Sequence, residues 1–187
     1  MDFEITREIG IDAGHRVTYH GSKCRNLHGH RYTIQATCLG ELFEEGEQEG
    51  MVLDFGFLKE EMMNEIDAPC DHGMMLWDKD PLVDKFVPAL TREQPFDIPE
   101  LGSEPLTGRQ ILDQLMRESN YVELPSSVLS SICGKMYIVP FVPTAENLAK
   151  HWFERLAPHV EERTKGKGHL KEIKVWETPN CMAKFPV

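Results

Sequence analysis

Hydrophobic and polar positions alternate in three stretches of this chain and recur at helical spacing in three others. Over residues 3–11, Phe3, Ile5, Ile9 and Ile11 share one parity, while Glu4, Thr6 and Glu8 take the other and Arg7 is the exception. Period two predicts a half-buried strand. Residues 30–38 alternate more cleanly, with Tyr32, Ile34, Ala36 and Cys38 against Arg31, Thr33, Gln35 and Thr37. His28 and His30 have the parity of Tyr32, so a strand reaching back that far projects both imidazoles from one face. The last alternating stretch is 170–177, with Ile173, Val175 and Glu177 on one face. Residues 51–53 predict a short strand, and 135–142 a strand whose Pro140 marks an edge or a bulge. Asp54 caps a predicted helix running to Ile66, with Phe55, Leu58, Met62 and Ile66 as its apolar stripe and Pro69 at its end. A second helix is expected over 108–118. A third follows Thr144, with Leu148, Trp152 and Leu156 spaced by four. The order is α+β, and amphipathic strands favour an antiparallel sheet with helices on one face. Residues 79–134 carry several prolines and read as an insertion within a single domain spanning 1–187.

Composition narrows the classes. A chain of 187 residues can bury a sizeable core as one domain. A net charge of −11 argues against nucleic acid as a partner, but leaves room for an anionic small molecule held by a local field. No apolar run approaches the roughly 18 residues that span a bilayer, so no membrane association is expected. The opening residues Met1–Glu4 have neither the basic nor the apolar region of an export signal. Five cysteines without a framework spacing then suggest reduced thiols and a cytoplasmic location.

The chemistry concentrates where charge departs from the average. No Asp or Glu occurs from Ala13 to Gly40, while Arg16, Lys23, Arg25 and Arg31 do. The same stretch holds His15, Cys24, His28 and His30. Three imidazoles with a fourth position open suit a catalytic zinc ion, and a cationic surround suits an anion beside it. Cys24 lies between Lys23 and Arg25, where cations and a metal would enrich the thiolate. Asp71-His72 could hold a carboxylate against an imidazole or could be a plain loop pair. Glu177, on an apolar face, calls for a buried cation or a ligand donor unless the strand has already ended. Glu146 falls in the first turn of its helix, where a carboxylate is favourable in any case. His20, His151, His159 and His169 have no partner pattern and read as surface residues.

These blocks, in this order, resemble the 6-pyruvoyltetrahydropterin synthase family. They are Ala13-Gly14-His15, Cys24-x-x-x-His28-Gly29-His30, Met51-Val52-Leu53-Asp54-Phe55, Asp71-His72, Pro143-Thr144-Ala145-Glu146-Asn147-Leu148 and Trp176-Glu177-Thr178. The three-residue gap between Cys24 and His28 resembles the carboxy-forming branch. The resemblance implies a T-fold (tunnelling fold) whose subunits join edge to edge into a barrel, a homo-oligomer such as a tetramer or hexamer. It implies Zn2+ on His15, His28 and His30, and proton transfer by Cys24, Asp71 and His72. It also implies a pterin held by Glu177, with Thr144 and Glu146 lining the pocket. The implied reaction converts 7,8-dihydroneopterin triphosphate to 6-carboxytetrahydropterin, losing triphosphate and acetaldehyde, on the route to queuosine and other 7-deazaguanines. A pyruvoyl-forming or aldolase-like synthase is the alternative within the family, and a non-catalytic zinc-binding assembly protein the alternative outside catalysis. His-Glu-x-x-His, the mark of many zinc hydrolases, does not occur.

Overall fold

The structure, a computed structural model, describes residues 1–87, 90, 106–124 and 134–187. It contains seven strands: β1 (Phe3–His15), β2 (His28–Gly40), β3 (Gly73–Trp77), β4 (Val122–Leu124), β5 (Lys135–Val139), β6 (Gly168–Thr178) and β7 (Cys181–Phe185). The helices are α1 (Phe55–Met62), α2 (Ala68–Cys70), α3 (Val83–Phe86), α4 (Gly108–Ser119) and α5 (Ala145–Thr164). The hydrogen-bonded strand order is β4-β5-β3-β1-β2-β6-β7. Two compact units divide the chain. Met1–Asp12, His30–Asp71 and Thr144–Val187 form the first; Ala13–Gly29 and His72–Pro143 form the second.

In the first unit β2 and β6 run antiparallel, pairing Thr33 with Trp176 and Ile34 with Val175, with a bulge at Thr37/Cys38. β7 extends β6, also antiparallel. α5 packs on β6 and β7, burying Leu148, Trp152 and Leu156 as their spacing predicts. Thr144 caps this helix by accepting the Asn147 N–H, and Lys165 closes it in the left-handed conformation. Asp54 caps α1, accepting the Phe57 N–H at 3.0 Å. Leu58, Met62 and Ile66 are buried, but Phe55, the first residue of α1, is exposed although it shares their stripe. The helix does not stop at Ile66. It widens into a π turn over Met63–Asp67 and continues through Pro69 into α2. Proline lacks the N–H that would close on the carbonyl four residues back, and a π turn is one way to absorb that loss.

In the second unit the end of β1 pairs in parallel with β3, Gly14 with Met74 and His15 with Met75. β3 pairs in parallel with β5, and β4 antiparallel with β5. Leu76, Ile111, Leu112, Leu124 and Ile138 form its core with Val83 and Val87. α4 opens on a capping box in which the Thr107 hydroxyl accepts the Gln110 N–H and the Gln110 side chain accepts the Thr107 N–H.

The sheet is therefore mixed, not antiparallel throughout as the amphipathic strands suggested. The connections from β2 to β3 and from β3 to β5 are long, the first carrying α1 and α2 and the second α3, α4 and β4, and long connections permit parallel pairing where a tight turn would not. Residues 51–53 form no strand, although Val52 and Leu53 are buried. β5 ends at Val139, one residue before Pro140. His151, expected at the surface, is buried on α5. Burial first, and the Arg155 cation second, push its imidazole pKa down to about 4, so it is neutral near pH 7. Of the segment 79–134, the described parts contribute α3, α4 and β4, and the rest lies outside the described residues. Among the described residues, no helix is long and apolar enough to cross a membrane.

Candidate metal centre

His15 ends β1, and His28 and His30 open β2, two residues apart. The candidate ligand nitrogens of these three side chains all lie within 4.8 Å of one another. Gly29 between the histidines has a packing reason: a Cβ there would come within 3.2 Å of the Ala13 carbonyl oxygen. Gly14, beside His15, is less constrained: a Cβ there would meet the tip of the flexible Met74 side chain at 2.6 Å and the His28 carbonyl oxygen only at 3.4 Å.

Backbone carbonyls set the tautomers. His15 Nδ1 lies 2.7 Å from the Pro143 carbonyl oxygen, and His28 Nδ1 lies 2.8 Å from that of Asn26. A carbonyl only accepts, so each Nδ1 carries the proton and each neutral ring presents a bare Nε2 lone pair. The two Nε2 atoms are 3.1 Å apart. Two lone pairs at that distance repel unless a cation or a proton lies between them. Metal-ligating histidines commonly donate their second nitrogen to a carbonyl in this way. Ligand nitrogens about 2.0–2.1 Å from a tetrahedral zinc stand roughly 3.3–3.4 Å apart. The His15 and His28 donors therefore fit zinc in type, tautomer and approximate spacing, with His30 as the third imidazole.

Cys24 is half-buried on a 3-10 turn, Lys23–Arg25, whose loop is closed by the Val17 N–H donating to the Cys24 carbonyl at 2.8 Å. The four cations of this stretch do not share one fate. Arg16 forms a two-pronged ion pair with Asp80, Nε at 2.6 Å and Nη2 at 2.7 Å, and Arg31 pairs with Asp12. Both acids lie outside the acid-free segment and reach it only through the fold. Lys23 and Arg25 remain exposed. Asp80 is buried and also accepts from Thr18 and from the Leu82 N–H. Burial works to raise its pKa, but the hydrogen bonds from Arg16, Thr18 and Leu82 outweigh this and hold it below the usual carboxylate range.

Asp71 ends α2 and accepts the Asp12 N–H at 2.8 Å, which orients its carboxylate. His72 follows in the left-handed conformation, φ 54°, an uncommon one for a side-chain-bearing residue and one that favours turns and functional sites. Glu177 is half-buried on β6, one residue past Trp176, which pairs with Thr33. Tyr32 is fully buried. Burial first, then the Glu177 charge and then Cys70, raise the Tyr32 phenol well above its usual value. Thr144 is half-buried at the α5 cap and Glu146 is exposed in its first turn.

Two features escaped the pattern reading. The alternation places Tyr32 on one face of its strand and gives no sign of the Glu177 charge near its phenol. His159 bridges Glu61 through Nδ1 at 3.1 Å and Glu65 through Nε2 at 3.8 Å, while Arg155 also pairs with Glu65. Both ring nitrogens face carboxylates and Glu65 already pairs with Arg155, so this second Glu-Glu-His group forms a polar network with that arginine.

Known proteins match this chain along its length. The family profile described as 6-pyruvoyl tetrahydropterin synthase matches residues 4–186. A Haemophilus influenzae protein named 6-carboxy-5,6,7,8-tetrahydropterin synthase is 30% identical over 183 residues, 98% of each chain. A Rickettsia bellii protein of the same name is 30% identical over 181 residues, 97% of this chain and 98% of the relative. An uncharacterized protein from Wolinella succinogenes superposes with a TM-score of 0.67 at 22% identity, covering 98% of this chain and 97% of its own. Caenorhabditis elegans 6-pyruvoyl tetrahydropterin synthase superposes with a TM-score of 0.54 at 19% identity, covering 100% and 96%. This chain has the T-fold and belongs to the 6-pyruvoyl tetrahydropterin synthase family.

Proposed function

We propose that this protein is a zinc-dependent 6-carboxytetrahydropterin synthase of the cytoplasm, acting on 7,8-dihydroneopterin triphosphate in the formation of queuosine and other 7-deazaguanines. The observation that carries the reading is the histidine set, with the Nδ1 atoms of His15 and His28 committed to carbonyls and their Nε2 atoms turned toward each other. Full-length similarity to relatives named for the carboxy product directs that set toward a pterin. His15, His28 and His30 would hold zinc, which when bound supplies a Lewis acid for the two side-chain hydroxyls. The Cys24 thiolate takes a proton from the side-chain carbon next to the ring. His72, oriented by Asp71, handles the second proton. Glu177 accepts from the pterin ring NH and amino group, with Thr144 and Glu146 lining the pocket. The exposed cations Lys23 and Arg25 meet the triphosphate, which leaves by elimination. One water then completes the carboxyl group as the remaining two carbons depart as acetaldehyde. The working form is a homo-oligomer, a tetramer or hexamer, and residues 79–134 are an elaboration of a single T-fold domain.

The test is incubation of zinc-loaded protein with dihydroneopterin triphosphate, followed by mass spectrometry of the pterin and enzymatic detection of acetaldehyde. Equal amounts of 6-carboxytetrahydropterin and acetaldehyde are expected. A 6-pyruvoyl product would move the activity to the sibling branch, and no turnover with zinc bound would end the lyase reading.

A further inference from the structure

The loop that carries Cys24 has almost no apolar anchor. Of residues 16–27, Thr18 alone is buried. Hydrogen bonds hold the loop instead. Within it, the Val17 N–H donates to the Cys24 carbonyl at 2.8 Å and the His20 N–H to the Val17 carbonyl at 2.9 Å. From outside it, one carboxylate takes both neighbours of Val17. Asp80 accepts from Arg16 Nε at 2.6 Å and Nη2 at 2.7 Å, and from the Thr18 hydroxyl at 2.5 Å. Beside this contact the Tyr19 and Trp77 rings meet at 87°, with centroids 6.1 Å apart. Asp80 is itself fixed to the end of β3. Its N–H donates to the Trp77 carbonyl at 2.9 Å, and Arg109 of α4 donates to the Asp78 carbonyl at 2.7 Å. All of these residues belong to the second unit. The Leu82 N–H is the fourth donor to Asp80, so each carboxylate oxygen already accepts twice. That uses the roughly four lone-pair sites of an ionised carboxylate and leaves none for a substrate.

We propose that Asp80 is a positioning residue for Cys24: by gripping Arg16 and Thr18 it fixes Val17, whose N–H closes the loop that sets Cys24 in place for proton transfer. This rests on Cys24 being the thiolate base of the proposed reaction. The turn after β3 thereby reaches the chemistry without touching the substrate. A misplacement of about 1 Å can cost a reacting group about 100-fold in rate, so the link belongs in kcat.

The experiment compares Thr18→Val, Thr18→Ser and Asp80→Asn in the zinc-loaded full chain. It reads kcat with dihydroneopterin triphosphate, zinc content, and hydrogen exchange of residues 16–27 against that of β6. Thr18→Val removes one donor and leaves the Arg16–Asp80 pair in place. It is expected to lower kcat about tenfold, to keep its zinc, and to speed exchange in 16–27 about tenfold with β6 unchanged. Thr18→Ser keeps the hydroxyl and should hold kcat within about twofold of the unsubstituted protein, a rescue that a packing role for the Thr18 methyl would not give. Asp80→Asn should lower kcat about 100-fold. If it is too unstable to purify, the two Thr18 variants decide. Faster exchange in 16–27 with unchanged kcat would overturn the positioning role, as would unchanged exchange. Zinc lost from Thr18→Val would show that Asp80 acts through His15 and not Cys24, and would overturn it too. An unsubstituted protein that binds zinc and gives no turnover would instead end the lyase reading, and exchange in 16–27 would still decide whether Asp80 holds the loop.

Discussion

Asp80 shows how much one residue can decide. Its carboxylate neutralises Arg16, the residue next to His15, from 64 positions away. Asp80→Asn leaves the Arg16 charge largely buried and unbalanced, and should destabilise the protein by about 3 kcal/mol or more in urea unfolding. The pH dependence has a definite sign. The folded pKa is depressed, so the stability the pair confers is complete above the ordinary aspartate value, about 3.9, and is lost as pH falls through the lower folded value. Asp80→Asn should flatten that acid limb, which a urea series across pH would read. The histidines and Cys24 make a second contrast. His28→Ala should lose bound zinc by metal analysis, whereas Cys24→Ala should retain it and still fail to turn over. Zinc lost from Cys24→Ala would make Cys24 a ligand. At His72, relief of left-handed strain and the added freedom of the unfolded chain are of similar size. His72→Gly should therefore leave stability within about 1 kcal/mol while turnover disappears. Parity and spacing made His15, His28, His30 and Cys24 visible, because period two is local. The partners of Arg16 and Arg31 were invisible, because both acids arrive through long-range contacts.

The elements were legible in proportion to their amphipathicity. β1, β2 and β6 have one face on the core and one toward polar surroundings, so their alternation survives in the residue order. β3 does not alternate: Met74, Met75 and Leu76 form a short apolar run between neighbours paired on both sides, and such a run carries no period. β7 carries Lys184 and the exposed Met182 on a strand at the end of the sheet. There the hydrophobic signal is weakest. The α5 cap is a case where element and site coincide. Thr144 was expected both as a cap and as a pocket residue, and it follows Pro143, whose carbonyl takes the His15 ring. Thr144→Ala should cost about 1 kcal/mol in thermal or urea unfolding through lost capping alone. A rise in KM beyond that of an equally destabilised control, such as Thr107→Ala at the α4 cap, would separate pocket from cap.

At the scale of the whole molecule, metal binding and folding are linked. Zinc that binds the folded chain at 100 times its Kd adds about 2.7 kcal/mol, which for a chain of this size is roughly 5–10 °C in Tm. Dialysis against a chelator should lower Tm by that amount, and added zinc should restore it. No response would mean that the histidines hold no metal in solution. Light scattering should give a whole-number multiple of the 21.4 kDa chain mass if the working form is a homo-oligomer. The residue order by itself determined the fold class, the main strands and helices, and the candidate ligands, because periodicity, capping and donor spacing are properties of a few neighbouring residues. Only the tertiary structure decided that the sheet is mixed, that His151 is a neutral core residue and that two of the four cations are already neutralised. It alone set the tautomers of His15 and His28 and brought the Glu177 charge within reach of the Tyr32 phenol. Each of these depends on carbonyls, carboxylates and strands that meet only when distant parts of the chain are brought together.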